Sequence, residues 1–341
     1  MQATRHKPSL RSPAALLLLA LAPALSAPPP AGAEASPLAP QEIAALFRQL
    51  EDKDPAARQA AVEKLVEARD ASVAARLKRT LLSKAGPLLH KASVERARAL
   101  RAAMAEARKG FSPQAFAARQ QEALALFKAG KTKEMEPLVK SMWKDFYFDP
   151  AAADADGKAA EAAALVAELD RHLKAAGAEE QELPAAKLAE SLRALDESHL
   201  IQTMPPRDQK TMLQNAALRS QVPEEEYRLV FMTNQYRVLM GRSALRLDPK
   251  LCNAARDHSK DMVEKGFFAH ESPVPGKRTP GDRATRAGTS AHAENIAMGS
   301  ERAEGPFWMW FFSLGHHQNV LGDHATIGVG NHGKTWTEMF G

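Results

Sequence analysis

Apolar side chains recur at helical spacing through the first two thirds of the chain. Between residues 41 and 221 they return every three or four positions, among many alanines, leucines, glutamates, lysines and arginines. This periodicity is typical of amphipathic helices, and these residue types are strong helix formers. Proline placed just after a helix-start residue, as in Asp54-Pro55, marks where separate helices begin. The pattern predicts an all-α region over residues 34–222, and residues 41–83 resemble one HEAT-type helical unit.

The pattern changes at Pro223. Beyond it, glycine, histidine, asparagine and aromatic residues become common and alanine becomes rarer. Three glutamates after Pro223 predict a helix start, and Asp248-Pro249 predicts a second one. Near the end, residues 325–330 and 336–340 are interpreted as two short strands around a turn. We therefore expect an α+β domain over residues 223–341.

The first residues have the order of a secretory signal. Basic residues precede a short apolar run, Ala14 to Leu25, and small residues follow it. Residues 1–33 are interpreted as this signal and the start of a Pro/Ala-rich spacer, with an uncleaved anchor as the alternative. No later run reaches the ~20 apolar residues that a membrane span needs. The sequence thus predicts a protein that is secreted or located in the periplasm or cell envelope.

Charge and cysteine content narrow the classes of function. The net charge is +5, and no block of lysine and arginine is interleaved with aromatics, so a nucleic-acid partner is not expected. Cys252 is the only cysteine, which excludes an internal disulfide. Stability must therefore come from packing.

Histidine is concentrated in the last part of the chain. Seven of the eleven histidines lie beyond residue 257. There is no HExxH and no CxxC, so spacing alone does not indicate zinc. Helical spacing predicts that His258 is a core residue, whereas His317, His324 and His332 are expected at the surface. Asp282 and Arg283 are interpreted as an ion pair.

The order of residues from about 225 to 341 resembles the CAP superfamily, the cysteine-rich secretory, antigen-5 and pathogenesis-related proteins that share the SCP domain. It is most similar to the disulfide-free bacterial branch. The elements that carry the resemblance are Asn234-Gln235-Tyr236-Arg237, Leu245-Arg246-Leu247-Asp248, Phe267-Phe268-Ala269-His270-Glu271-Ser272-Pro273, Glu294-Asn295-Ile296-Ala297, Gly315-His316-His317-Gln318-Asn319, Ile327-Gly328-Val329-Gly330 and Trp336-Thr337-Glu338.

The resemblance implies a C-terminal α-β-α sandwich with a cleft on one face. In the family this cleft holds two histidines and two acidic residues, and some members bind a divalent metal through the histidines. By motif the matching positions are His270, Glu294 and His316, with Asn295 beside Glu294. The fourth position is Ser313 here rather than glutamate, and members of the bacterial branch often have serine there. Zinc or another divalent metal would accordingly be held by His270 and His316.

Several functions remain open from these residues. The first is a binding or interaction module for an envelope or extracellular ligand, which could be a protein, a lipid or a glycan. The second is a metal-assisted hydrolase that uses His270, Glu294 and His316, although this set is not a complete catalytic constellation. The third is a lipid-binding or purely structural envelope protein. Residues 307–312, five of them aromatic, predict either a buried helix or a surface for lipid.

Overall fold

The computed structural model describes residues 38–154 and 156–341. The predicted signal peptide, residues 1–33, lies outside these described residues. The chain separates into two compact units, the first ending at Leu77 and the second running from Lys78 to Gly341. None of the described helices is both long and apolar enough to cross a bilayer.

Helices make up most of the described chain, as the periodicity predicts. The helices before Pro223 are α1 (Pro40–Gln49), α2 (Pro55–Glu67), α3 (Ala71–Lys109), α4 (Pro113–Lys128), α5 (Thr132–Phe146), α6 (Lys158–Ala175), α7 (Pro184–Ile201) and α8 (Pro206–Ala217). Proline is the first residue of α2, α4, α7 and α8, where its missing N–H leaves no hydrogen bond unmade. The Asp54 carboxylate caps α2 by accepting from the backbone N–H of Ala56 at 3.0 Å.

The C-terminal part combines helices with a small sheet. Its elements are α9 (Glu224–Leu239), β1 (Arg246–Leu247), α10 (Pro249–Lys265), α11 (Pro280–Arg286), β2 (Ala293–Met298), α12 (Glu304–Phe312), α13 (Leu314–Val320), β3 (Thr326–His332) and β4 (Thr335–Phe340). The sheet order is β1-β3-β4-β2, with β1 parallel to β3 and the other neighbours antiparallel. Gly333, at a φ of +60°, turns the chain between β3 and β4.

Helices cover both faces of this sheet. On one face, Leu251 and Ala255 of α10 share an apolar cluster with Met339 of β4. On the other face, α9, α12 and α13 pack over residues such as Val329 and Trp336. The α+β class, with a C-terminal α-β-α sandwich after an all-α region, is thereby confirmed.

The sequence did not reveal every element. The sequence patterns predict no helix or strand between Gly266 and the aromatic residues 307–312, but this segment contains α11 and β2. Strand β2 reads Ala-Glu-Asn-Ile-Ala-Met and is buried on both faces, so it lacks the alternation that marks a half-exposed strand. Helix α12 also begins at Glu304, before the aromatic residues that predicted it.

A single apolar core joins helices from both sides of residue 223. It includes Met135 and Met142 of α5 together with Tyr236 of α9 and Trp310 of α12. The Trp143 indole stacks over the Tyr236 ring with centroids 6.4 Å apart. The division at residue 223 therefore remains a prediction from composition, while α4 and α5 are packed on the C-terminal domain.

Two glycines let α10 lie directly on β3. A Cβ at Gly330 would fall 1.8 Å from the backbone nitrogen of Arg256, and one at Gly328 would fall 2.4 Å from the carbonyl carbon of Leu251. Both clashes are with helix backbone, which cannot move aside as a flexible side chain can. Close helix–sheet packing thus depends on glycine at these positions.

We expect Gly330→Ala to destabilise the second unit by about 3 kcal/mol, because the added methyl forces α10 away from the sheet. The measurement is the free energy of unfolding from urea denaturation followed by circular dichroism. Gly86→Ala is the matched control, since Gly86 is exposed on α3 and its added Cβ would meet nothing within 4 Å. Gly86 precedes Pro87 in α3, which offsets part of the gain in helix propensity, so that variant should change the free energy of unfolding by less than about 1 kcal/mol. Equal effects of the two substitutions would contradict the packing argument.

Candidate functional site

The fold brings His270, Glu294 and His316 together from three different elements. His270 lies in the loop after α10, Glu294 on β2 and His316 on α13. The Nδ1 atom of His270 lies 3.0 Å from Oε1 of Glu294, and the two imidazole centroids are 6.3 Å apart. The His270 side chain is half exposed, whereas that of Glu294 is almost fully buried. The site is an open pair of imidazoles above a buried carboxylate.

Glu294 is held from below by Arg283. The Nη2 atom of Arg283 donates to Oε2 of Glu294, and each side chain is only 1% exposed. The Nη1 atom of the same guanidinium donates to the backbone carbonyls of His270, Lys277 and Arg278, at 3.0–3.2 Å. Arg283 therefore ties the His270 loop to strand β2.

The interpretation of Asp282 and Arg283 as an ion pair is wrong. Asp282 caps α11, where its carboxylate accepts from the backbone N–H of Thr279 at 2.9 Å. Arg283 is the next residue of the same helix and points inward, to Glu294. Adjacent helical residues point about 100° apart, which separates the two charges.

His258 supports the same loop from α10. Its ring is fully buried, as its helical spacing predicts, and its Nε2–H donates to the carbonyl of Ala269 at 3.1 Å. The same nitrogen lies 3.8 Å from Oε1 of Glu294. Burial lowers the pKa of His258, so its ring is neutral near pH 7. His258 thus positions the residue before His270.

Hydrogen bonding determines which nitrogen of His270 faces the cleft. Because Glu294 accepts from Nδ1–H, the lone pair of the neutral ring is on Nε2. Burial lowers the pKa of His316, and the neighbouring His270 lowers it further, so the His316 ring is neutral near pH 7. The cleft therefore offers two imidazoles that can bind a ligand or a metal ion.

Asn295 lies behind the cleft. Its side chain is fully buried, and its Nδ2 donates to the carbonyl of His316 at 3.2 Å and to Oε2 of Glu338 at 3.1 Å. Asn319 completes this arrangement by donating to Oδ1 of Asn295 at 2.9 Å. We assign Asn295 the role of positioning the His316 backbone. Ser313 stands directly before α13 and is half exposed.

Glu338 is a buried acid that sequence reasoning did not single out. Its carboxylate accepts from the Thr233 hydroxyl at 2.8 Å as well as from Asn295. Complete burial raises the pKa of Glu338 to about 7. The signal was available in the Trp336-Thr337-Glu338 motif, where a lone acid stands inside a short run of otherwise uncharged residues that forms the buried strand β4.

His317 is not at the surface as its sequence position suggested. It is fully buried, its Nε2 lies 2.7 Å from the Tyr236 hydroxyl, and its ring packs on Phe127 with centroids 4.5 Å apart. Burial lowers the pKa of His317 to about 4. The helical rotation between neighbours turns His316 to the cleft and His317 to the core. The other two histidines expected at the surface, His324 and His332, are partly exposed.

No group of three or more histidine, cysteine, aspartate or glutamate side chains within residues 38–154 and 156–341 has an arrangement that could hold a metal ion. Both carboxylate oxygens of Glu294 already have partners, Nδ1 of His270 on one and the guanidinium of Arg283 on the other.

A three-layer α-β-α sandwich with a His-Glu-His cleft defines a class of protein, and the sequence comparisons identify it. Residues 230–335 match the family described as CAP, Cysteine-rich secretory protein family. "Uncharacterized protein YkwD" of Bacillus subtilis (strain 168) is 33% identical over 184 residues, which cover 50% of this chain and 70% of YkwD. The chain therefore belongs to the CAP family.

Two further relatives match smaller parts of the chain. "Uncharacterized membrane protein YlbC" of the same bacterium is 29% identical over 116 residues, 34% of each chain. A crystal structure of an extracellular protein containing a SCP domain, from Bacillus anthracis str. Ames, has 28% sequence identity and a TM-score of 0.33. That match covers 40% of this chain and 43% of the other, so less than half of the crystallised protein has a counterpart here.

We expect Glu338→Gln to gain stability relative to the parent protein as the pH rises. The folded-state pKa of about 7 lies above the ordinary value of 4.5, so the parent loses stability as Glu338 ionises, whereas glutamine does not titrate. Between about pH 5 and about pH 8 the difference in unfolding free energy should move by about 2 kcal/mol in favour of the variant.

The measurement is urea denaturation of both proteins across this pH range. Glu264→Gln on the exposed face of α10 is the control and should shift the stability by less than about 0.5 kcal/mol at every pH. A stability difference between Glu338→Gln and the parent that does not change with pH would show that Glu338 is ionised in the fold throughout.

Proposed function

We propose that this CAP protein is an exported binding module of the cell envelope or extracellular space, with the cleft around His270 and His316 as its ligand site. The basic segment and short apolar run at the N-terminus support export. The two imidazoles lie above the buried pair of Glu294 and Arg283, which holds the site in place. A site that is already held in place loses little entropy when it binds a ligand, and this arrangement supports a binding function.

One observation favours binding over hydrolysis. Both oxygens of Glu294 accept hydrogen bonds, one from His270 and one from Arg283, and the side chain is 1% exposed. A general base must reach the proton that it removes, and this carboxylate is paired and covered. Ser313 occupies the fourth family position, where a hydroxyl cannot replace the second acid.

The same geometry supports a divalent metal held by two imidazoles. Carboxylates commonly accept the second N–H of a metal-bound histidine and so orient it, which is what Glu294 does for His270. Nε2 of His270 and a nitrogen of His316 would then hold zinc, with Glu294 outside the ligand set because Arg283 pairs with it. A bound metal would supply open positions for a donor atom of the ligand.

Zinc titration of the full chain by calorimetry tests whether the two imidazoles hold a metal ion. We expect one zinc ion per chain, and at least about ten-fold weaker binding in the double variant His270→Ala, His316→Ala, because no further ligand would replace them. His332→Ala, at the end of β3, is the control and should bind as the parent does. Zinc binding that survives the double variant would place the metal elsewhere.

Binding and hydrolysis are separated by two assays on the same proteins. Cosedimentation with insoluble peptidoglycan and with phospholipid vesicles should detect binding that the double variant has lost. A panel of ester, amide and glycoside substrates should show no turnover by the parent. Turnover that disappears in His316→Ala while the circular dichroism spectrum stays unchanged would contradict the proposal and favour the hydrolase.

Lipid is the second candidate ligand because three apolar side chains near the end of α12 are exposed. Met309, Phe312 and Leu314 are 42%, 40% and 41% exposed. Exposed apolar groups of this kind often mark contact surfaces. If vesicles are the partner, Phe312→Ser should reduce cosedimentation with vesicles and leave peptidoglycan binding unchanged.

A further inference from the structure

A second cleft lies between helices α5, α7, α9 and α12. Its volume is about 830 Å³, within the range of small-molecule sites. It is lined by residues of the helical region and of the CAP domain, and the histidines of the first cleft do not line it. Aromatic side chains form much of its wall: Trp143, Tyr147, Phe231, Phe307 and Trp308.

Two tryptophans are arranged around one phenylalanine in this wall. The Trp143 indole meets Phe307 edge-on, with centroids 6.0 Å apart, and Trp308 meets Phe307 in the same way at 5.2 Å. Both indoles are partly exposed. The contacts with Phe307 restrict both rings, so each can offer an apolar surface to a ligand at little entropic cost. The Lys140 ammonium lies 4.9 Å from the centroid of the Trp308 ring, so a ligand would meet the part of this indole that Lys140 leaves open.

A cluster of two arginines and two glutamates borders the cleft on the α7 side. Arg219 lies 2.8 Å from Glu197 and 2.5 Å from Glu224. Arg193 lies 3.6 Å from Glu224. The Tyr227 hydroxyl also donates to Glu197, at 3.2 Å. The charges of this cluster balance when both carboxylates are ionised; burial raises the pKa of Glu197 to about 7, so the balance holds above that pH.

A second cluster of the same composition borders the cleft on the α12 side. Arg228 pairs with Glu304 and lies 3.7 Å from Glu225. Arg302 lies 3.5 Å from Glu225. The Glu225 carboxylate also accepts from the backbone N–H of Ala303 at 2.8 Å. This cluster is balanced as well.

These balanced borders determine which ligand charge the cleft favours. A charged group of a ligand placed against either cluster would have to break an existing ion pair or remain unpaired, and both outcomes cost free energy. Of the other charged side chains that line the cleft, Lys140 pairs with Glu136, Asp196 pairs with Arg96, and Lys144 and Asp149 carry opposite charges. A neutral ligand with many hydroxyl groups can bond to remaining guanidinium N–H groups and carboxylate lone pairs without disturbing the pairs. Its apolar C–H faces can pack on the two indoles through weak contacts.

We propose that this cleft binds an uncharged oligosaccharide of about two or three rings, a length suited to its volume. The sugar faces pack against Trp143 and Trp308, and the hydroxyl groups bond to the arginines and glutamates of the two bordering clusters. This site is additional to the histidine cleft and does not depend on it.

The four tryptophans of the chain provide the readout. Trp310 and Trp336 are 1% and 0% exposed, so a ligand in the cleft can contact only Trp143 and Trp308. The full chain is titrated with neutral triacetylchitotriose and with cellotriose while tryptophan fluorescence is recorded. The expected result is a saturable change in emission with at least one of the two.

Trp308→Ala should weaken this binding at least about ten-fold, because the loss of one stacking surface removes on the order of 1.4 kcal/mol. Trp308→Phe should restore part of it. Val263→Ala is the control, since Val263 is an exposed apolar residue of α10 and does not line the cleft, and it should change the affinity less than about two-fold. Isothermal calorimetry provides the affinities independently of the fluorophore that is removed.

Several outcomes would overturn the proposal. Trigalacturonate or fully deacetylated chitotriose binding as tightly as the neutral sugars would refute the argument from charge balance. The absence of a response to either neutral sugar at millimolar concentration, or binding that Trp308→Ala leaves unchanged, would refute the site. The double variant His270→Ala, His316→Ala should keep its sugar binding, which separates this proposal from the function of the histidine cleft.

Discussion

The buried ion pair between Arg283 and Glu294 is the interaction on which the histidine cleft depends. It joins the loop that carries His270 to strand β2, and the guanidinium also bonds to three carbonyls of that loop. Two charges removed from water are tolerated only when their geometry and additional hydrogen bonds compensate the lost hydration. Here the partners are a carboxylate, backbone carbonyls and the His270 N–H. The pair therefore fixes the conformation of the loop that carries His270, in addition to any contribution to the stability of the fold.

The Arg283–Glu294 pair also explains why Glu294 is poorly suited to act as a general base. An acid that neutralises a buried arginine and orients a histidine has little capacity left to accept a proton from a substrate. The same acid helps the cleft as an orienting group, because it determines which nitrogen of His270 is free. In the proposed binding function Glu294 would act through His270, and the imidazoles are the groups that reach solvent.

Successive side chains of strand β2 point to opposite faces of the sheet, and both faces support the histidine cleft. Glu294 points to the loop and the cleft, whereas Asn295 points to the opposite face and meets Glu338. Through Asn295 the buried network reaches the backbone of His316, so the two imidazoles are supported from the two faces of one strand. On that second face, Tyr236 also contacts Trp143 of α5, and the helical region in this way supplies part of the wall of the second cleft.

The residue pattern of the sequence predicted most of the helices and indicated the candidate site. Prolines and glycines interrupt a regular apolar period, so the bounds of α9 and α10 follow from neighbouring residues alone. The order of the motifs along the chain indicated His270, Glu294 and His316 as candidate site residues. Four features were decided only by the tertiary structure: the partner of Arg283, the role of Glu338, the burial of His317 and the formation of strand β2. Each depends on residues distant in the chain, and neither periodicity nor composition records which side chains a fold brings into contact.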